Sequence, residues 1–329
     1  MQRARRIAVQ IALSVLLIGA VLWQTSPRKL ADAATALSLP WFLLALAINL
    51  VAVLVMTERW RVLLVARGRR EPGFGWLLET TLVSLLLGQV LPTAVGGDAV
   101  KAIDLARRTG ARAESISSVL VDRILGLGAL VLLAAAGAAS GGAGFGGDTV
   151  LAIELGVGLL CALSLAVLFS VRARRALRPL RPVARKLRIE APMRALYEGL
   201  HAYRGHPGAL AWVFVLAIAA QLLRVITVAV LVRGMQLDVG FGTLLLLCPV
   251  LFLVTIVPIS LNGVGLREAT FVVVLASVDV AREDAFVLGL AFFAVGVLTA
   301  LLGAGVLVRR SLAGRGHADL VPRDRSPTL

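Results

Sequence analysis

The sequence predicts an all-α integral membrane protein with six full transmembrane helices and two re-entrant hairpins arranged as an inverted repeat. Three observations carry that expectation: an apolar excess, eight apolar stretches of near-membrane length, and a pattern of basic residues that one topology gathers on one side. Of 329 residues, 59% are hydrophobic and 16% charged, with a mean hydropathy of +0.90. Soluble domains run at about 45–50% apolar and about 25% charged, so a soluble globular protein is excluded. The 34 Lys and Arg against 19 Asp and Glu leave a net charge of +15. Those basic residues fall between apolar runs, so the charge reads as membrane topology and not as nucleic-acid binding. Cys161 and Cys248 each sit inside an apolar run and offer neither a disulfide framework nor metal-ligand spacing.

The apolar stretches lie at 7–23, 40–57, 74–95, 115–139, 149–171, 209–232, 241–260 and 285–308, each near the ~17–25 residues a bilayer core requires. The first follows Arg3, Arg5 and Arg6, and Ala31-Asp32-Ala33 has the form of a leader cleavage site. The length of the run and the intervening Arg28-Lys29 favour a retained first helix. If all eight stretches crossed, the ten basic residues of 172–208 would face outward, against the inward bias of Lys and Arg. The conflict vanishes when 74 to about 97 enters from the cytoplasm and returns, and 241–279 does the same from outside. Residues 1–310 then form one polytopic domain of the bacterial cytoplasmic membrane with both termini cytoplasmic, and 311–329 a disordered polar tail. Segment 172–208, interrupted by Pro179 and Pro182, is expected on the anionic inner leaflet.

This topology makes 40–139 and 209–308 two inverted units of span, hairpin and span. Pro92, Gly97 and Lys101 in the first hairpin are matched at identical spacing by Pro258, Gly263 and Arg267 in the second. Inverted repeats with Gly/Pro-broken helices meeting near the midplane are a construction transporters use to bind substrate.

Charges at membrane depth cost about 2.5–3.5 kcal/mol each on insertion scales and mark functional candidates: Glu79, Asp98, Lys101, Asp122, Arg123, Arg224, Arg267 and Glu268. Leu91 to Asp98 breaks the first hairpin, with Asp98 as the expected cap of a helix running through Lys101, Asp104 and Arg108. A helix N-terminus with a nearby lysine suits a phosphate; a solvated stripe on an interfacial helix accounts for the same spacing. In the second hairpin, Pro258-Ile259-Ser260-Leu261-Asn262-Gly263-Val264-Gly265-Leu266-Arg267-Glu268 has a polar, Gly-rich centre between apolar arms, which a plain loop also fits. Arg224 shares a helix face with Gln221 and Thr227, a stripe for protein or water, or for a side chain reaching out to head groups. Asp122 and Arg123 are adjacent and serve equally as an interfacial ion pair. Three patterns are discounted: Gly142-x-Gly144-x-x-Gly147 lacks the preceding strand of a dinucleotide site, His201 and His206 lack further metal ligands, and Gly296, Ala300 and Ala304 indicate helix packing only.

At these residues the chain resembles the lysylphosphatidylglycerol synthase transmembrane, or flippase-like, family. The likeness covers about residues 7–310 and rests on Leu91-Pro92 through Lys101, on Val121-Asp122-Arg123, and above all on Pro258-Ile259-Ser260 through Gly263-x-Gly265-x-Arg267-Glu268. It implies translocation between leaflets of a phosphate-bearing lipid, aminoacylated or glycosylated in some cases. Lys101 departs from the arginine more usual in the family, and the aminoacyltransferase domain of the full-length synthases is not present in these residues. The expected substrate site comprises Pro92, Gly97, Asp98, Lys101, Asp122, Arg123, Arg224, Pro258, Ser260, Asn262, Gly263, Gly265, Arg267 and Glu268. Lys101, Arg224 and Arg267 would hold the phosphate, and Asp98, Asp122 and Glu268 would balance them or meet a cationic headgroup. No cofactor, metal or catalytic residue is expected, and no G-x-x-x-x-G-K-[ST] loop is present for ATP. Partners are membrane lipids of anionic or zwitterionic headgroup. Two alternatives stand beside the flippase: a membrane-embedded transferase acting on a lipid phosphate with Asp98 or Asp122 as base, and a scaffold for a separately encoded lipid-modifying enzyme. If the matched basic residues form one site, Lys101→Ala and Arg267→Ala each abolish function while the protein still inserts, measured as lipid accessibility alongside membrane fractionation; full activity in both would contradict a phosphate site there.

Overall fold

A computed structural model describes residues 32–33, 35–68, 73–90, 96–140, 201–254 and 265–312. The expected spans 7–23 and 149–171, the 142–147 glycines, the basic stretch to residue 200, the tail from 313, and the hairpin turns 91–95 and 255–264 lie outside the described residues. So do Pro92, Pro258, Ser260, Asn262 and Gly263. Among the described residues all regular structure is helical: α1 (Leu39–Val65), α2 (Phe74–Val90), α3 (Gly96–Thr109), α4 (Arg112–Ala139), α5 (Pro207–Gly234), α6 (Phe241–Val254), α7 (Leu266–Leu275) and α8 (Arg282–Leu312), with 3₁₀ turns at Ala202–Gly205 and Ala276–Val278.

Four helices are long and apolar enough to cross a bilayer: Leu39–Val65, Arg112–Ala139, Pro207–Gly234 and Arg282–Arg310. They coincide with four of the six expected spans, and α2, α3, α6 and α7 occupy the two expected hairpins. Local chemistry sets several ends. Pro40 and Pro207 sit in the first turns of α1 and α5, where the missing N–H has no helical partner to lose. Glu283 and Asp284 open α8 and Arg309 and Arg310 close it, each sign facing the favourable end of the helix dipole. Before α7, Gly265 adopts φ +79°, a left-handed geometry that favours glycine. Its N–H donates to the Glu268 carboxylate at 2.7 Å.

The helices pack as two sets of four that make the same contacts. α1 lies against α5 along its length. The Ser38 N–H at the start of α1 donates to the Gly234 carbonyl at the end of α5 at 3.2 Å, while Leu63 near the other end of α1 packs with Val213 near the start of α5. The two helices are therefore antiparallel. α2 packs on α8 as α6 packs on α4, α3 packs on α4 as α7 packs on α8, and α4 packs on α5 as α8 packs on α1. Within the first hairpin, the Ser84 hydroxyl donates to the Gly97 carbonyl at 2.7 Å, and Arg310 bonds both Glu79 near the start of α2 and Asp104 well along α3. α3 thus runs back along α2.

Two glycines make the matching contacts close. A methyl group at Gly303 would lie 2.7 Å from the Leu82 carbonyl carbon, and one at Gly137 would lie 2.7 Å from that of Leu245. The interval from Pro92 to Gly137 equals that from Pro258 to Gly303, so the repeat spacing of the hairpin motifs extends into the following helices. The small-residue stripe expected at Gly296 is looser, with Gln89 as its nearest neighbour at 3.7 Å; the backbone approach falls about two turns further along the helix, at Gly303. The apolar core is built mainly from α5, α6, α7 and α8, joined by Ala45, Leu130 and Leu133 of the first set. Gly137→Ala and Gly303→Ala should each lower stability by about 1–3 kcal/mol, the usual scale of overpacking, read as the thermal unfolding midpoint in detergent. Gly305→Ala, with open space around it, is the control and should leave the midpoint unchanged or higher.

Candidate functional site

The charges of the first set of helices meet where α1, α3 and α4 converge. Asp122 of α4 accepts two hydrogen bonds from the Arg59 guanidinium of α1, at 2.5 Å to Nε and 2.6 Å to Nη2. Both residues are buried. One turn away Asp98, in the first turn of α3, forms an ion pair with Arg123. The adjacent Asp122 and Arg123 therefore do not pair with each other: each bonds a different helix, which locks α4 to α1 on one side and to α3 on the other. The expectation that Asp98 caps α3 is corrected. The helix begins at Gly96, placing Asp98 inside the first turn, where its carboxylate is drawn to Arg123 rather than to the backbone amides.

Lys101 stands one turn further along α3, 6% exposed. Its ammonium lies over the Trp60 ring, 5.2 Å from the centroid, and in electrostatic range of Asp98, Asp122, Arg59 and Arg123. No carboxylate among the described residues bonds it. Gly97 is needed to let α3 approach so closely: a methyl group there would sit 2.6 Å from the Ser84 carbonyl oxygen.

Deeper along α4 the network continues across to α5. The Gln221 amide donates to the Gly126 carbonyl at 3.3 Å and accepts from Arg224 at 3.2 Å. The Arg224 guanidinium caps the Phe252 ring of α6 at 3.9 Å and feels the charges of Arg123 and Arg59. The expected Gln221 and Arg224 stripe is thus turned into the protein, whereas the Thr227 hydroxyl donates to its own helix at Leu223. Arg224 likewise has no carboxylate bonded to it among the described residues. In the other direction, Ser118 accepts from the Trp60 indole at 3.3 Å, and beyond it Arg67 pairs with Glu114 at 3.6 Å and covers Tyr203. Polar groups therefore run from the Glu114 end of α4 to its middle, between helices that are otherwise apolar.

Arg267 and Glu268 form a separate group at the start of α7. Arg267 donates to Glu268 at 3.1 Å and lies over Phe293 at 4.3 Å, and both charged residues are buried. Its electrostatic partner is Glu268, so Arg267 is not gathered with Lys101 and Arg224. Gly265 serves this corner through its backbone. A third group, not anticipated as a unit, fastens α8 to the first hairpin. Arg310 bonds Glu79 at 3.2 Å, Asp104 at 3.1 Å and Thr80 at 3.3 Å, and Arg309 pairs with Glu79.

Of the residues gathered at this candidate site, sequence reasoning missed Arg59, Trp60 and Phe252. Arg59 lies just beyond an apolar stretch and reads as a flanking charge; only its spacing within the extended helix, eight residues before Arg67, places it inside the bundle. The aromatic rings carry no signal until the cations above them are located.

No curated protein matches the chain. The family model described as lysylphosphatidylglycerol synthase TM region matches residues 7–303, which includes every helix and charge cluster described above up to Gly303. The chain is a multi-pass membrane protein and belongs to the lysylphosphatidylglycerol synthase TM region family.

Proposed function

We propose that the protein translocates a phosphate-bearing lipid between the leaflets of the bacterial cytoplasmic membrane. The family ties it to membrane-lipid chemistry, and one observation carries the rest: Lys101 and Arg224 are cations inside an apolar bundle that no carboxylate among the described residues bonds. A cation in that setting attracts an anion strongly, because the surroundings screen it far less than water does. In this reading the headgroup phosphate is held by Lys101 and Arg224, and the Arg59–Asp122 and Asp98–Arg123 pairs form the rigid floor beneath it.

The proposed topology has six full spans, with α2/α3 and α6/α7 as re-entrant hairpins and both termini cytoplasmic. It is supported by the antiparallel α1/α5 pair and by the equivalence of contacts between the two sets of helices. Inversion relates α3 to α7 and Lys101 to Arg267, so Arg267 serves a position opposite the Lys101 site. Alternating access follows from movement of one set against the other.

The decisive experiment reconstitutes the protein in liposomes of host lipid extract and measures which lipids become accessible in the opposite leaflet. Wild type should expose a lipid class that Lys101→Ala and Arg224→Ala move at least about tenfold more slowly, on the scale of a lost hydrogen bond to a charged group, roughly 1.5–3 kcal/mol. Absence of movement for every lipid, with and without an imposed gradient, would contradict translocation. A second outcome separates floor from binding groups. Arg59→Gln alone should cost about 3–5 kcal/mol of stability by stranding Asp122, whereas Arg59→Met with Asp122→Leu should recover most of it, measured by thermal unfolding in detergent.

A further inference from the structure

We infer that Trp60 is a positioning residue of the lipid-phosphate site: its ring holds the Lys101 ammonium away from neighbouring carboxylates and so keeps that charge for the headgroup. The inference rests on the lipid reading above and adds to it a residue that acts through Lys101. A lysine carries a point charge on a flexible four-carbon stem. Two anions are in electrostatic range of this one, Asp98 and Asp122. Asp98 stands three residues before Lys101 on α3, a spacing at which opposite charges meet on a helix. The structure shows another arrangement, with Asp98 paired to Arg123 and the ammonium over the Trp60 ring, 5.2 Å from its centroid.

The ring can seat the ammonium because four helices fix it. Trp60 of α1 is 1% exposed. Its indole N–H donates to the Ser118 hydroxyl at 3.3 Å, and that hydroxyl donates in turn to the Ser115 carbonyl at 2.9 Å, which ties the edge of the ring into α4. Leu77 of α2 and Leu105 of α3 cluster with it. Leu105 lies one turn beyond Lys101, so one face of α3 brings both an apolar contact and a charge to the same indole. The preceding residue, Arg59, bonds Asp122 twice, which sets the rotation of α1 and with it the direction of the ring. A buried ring attracts a cation through its quadrupole, more strongly where water is excluded. It adds no negative charge of its own, so the pair stays positive. A carboxylate in its place would neutralise the ammonium and compete with the phosphate for it. An ammonium has three N–H donors, and a ring occupies only the side it faces, so the seated lysine keeps donors for phosphate oxygens.

The test replaces Trp60 by tryptophans bearing one, two or three ring fluorines, which keep the indole shape and N–H but drain the electron density that attracts a cation. The full chain is reconstituted in phosphatidylcholine liposomes with a graded fraction of the host's anionic lipid extract, and translocation is resolved into KM and kcat. KM should rise stepwise with fluorine count to about tenfold, equivalent to about 1.4 kcal/mol, while kcat and the lipid-free unfolding midpoint stay unchanged. Trp60→Phe, which keeps a ring, should retain more of the affinity than Trp60→Leu. In a Lys101→Met background the same fluorines should have no effect. A ring that only packs gives a KM that does not rise with fluorination, and that result overturns the inference, as does a fluorine effect that persists without Lys101. The rise in unfolding midpoint that the same lipids produce in detergent reads binding without transport. If no lipid moves yet this rise shrinks with each fluorine, the role of Trp60 stands and translocation fails. If the lipids neither move nor stabilise the protein, the inference is overturned together with the lipid reading.

Discussion

The bidentate pair between Arg59 and Asp122 is the interaction on which the rest of the candidate site depends. It spans α1 and α4, the two long helices of the first set, inside a bundle where an unmatched charge is costly. By holding Asp122 away from its neighbours it leaves Arg123 to reach Asp98 and thereby fixes α3. With both carboxylates taken, Lys101 is left against the Trp60 ring and Arg224 against Phe252. Pairing geometry therefore decides where the positive charge is left, on Lys101 and Arg224, the cations to which no carboxylate among the described residues is bonded.

The two sets of helices share packing but not chemistry. Glycine contacts at Gly137 and Gly303 recur at equivalent places, yet the position in α8 that corresponds to Asp122 is Leu288, which is fully buried in the apolar core. The first set supplies polar groups along α1 and α4, which Gln221 and Arg224 of α5 join, and the second set supplies most of the hydrophobic core. The fastening differs as well. α8 is tied to the first hairpin by Arg309 and Arg310, whereas α4 meets the second hairpin through Ser140 against Gly242.

Much of the fold was legible because a bilayer imposes length and sign rules that survive in one dimension. The long apolar stretches at 40–57, 115–139, 209–232 and 285–308 all lie within long helices, and the breaks at Gly97 and Gly265 fall at helix starts. Partner choice was not legible. Adjacency made Asp122 and Arg123 look like a pair, but side chains one residue apart on a helix point to different neighbours, and each found its counter-ion on another helix. Arg267 matched Lys101 in spacing and was grouped with it. The structure gives it Glu268, because the carboxylate that bonds the Gly265 N–H is also within reach of the guanidinium.

The central claim, that the Lys101 ammonium binds a lipid phosphate inside the membrane, is most directly tested by magnetic-resonance distance measurement between ¹⁵N-labelled lysine and lipid phosphorus. The chain contains only Lys29, Lys101 and Lys186, so the lysine spectrum is sparse and Lys101→Arg assigns the relevant signal. The account predicts strong phosphorus coupling at the Lys101 Nζ, as expected for a charge-assisted contact of about 2.7–2.9 Å to a phosphate oxygen. A Lys101 signal that shows no coupling to phosphorus, in a sample where the lipid is translocated, would contradict it.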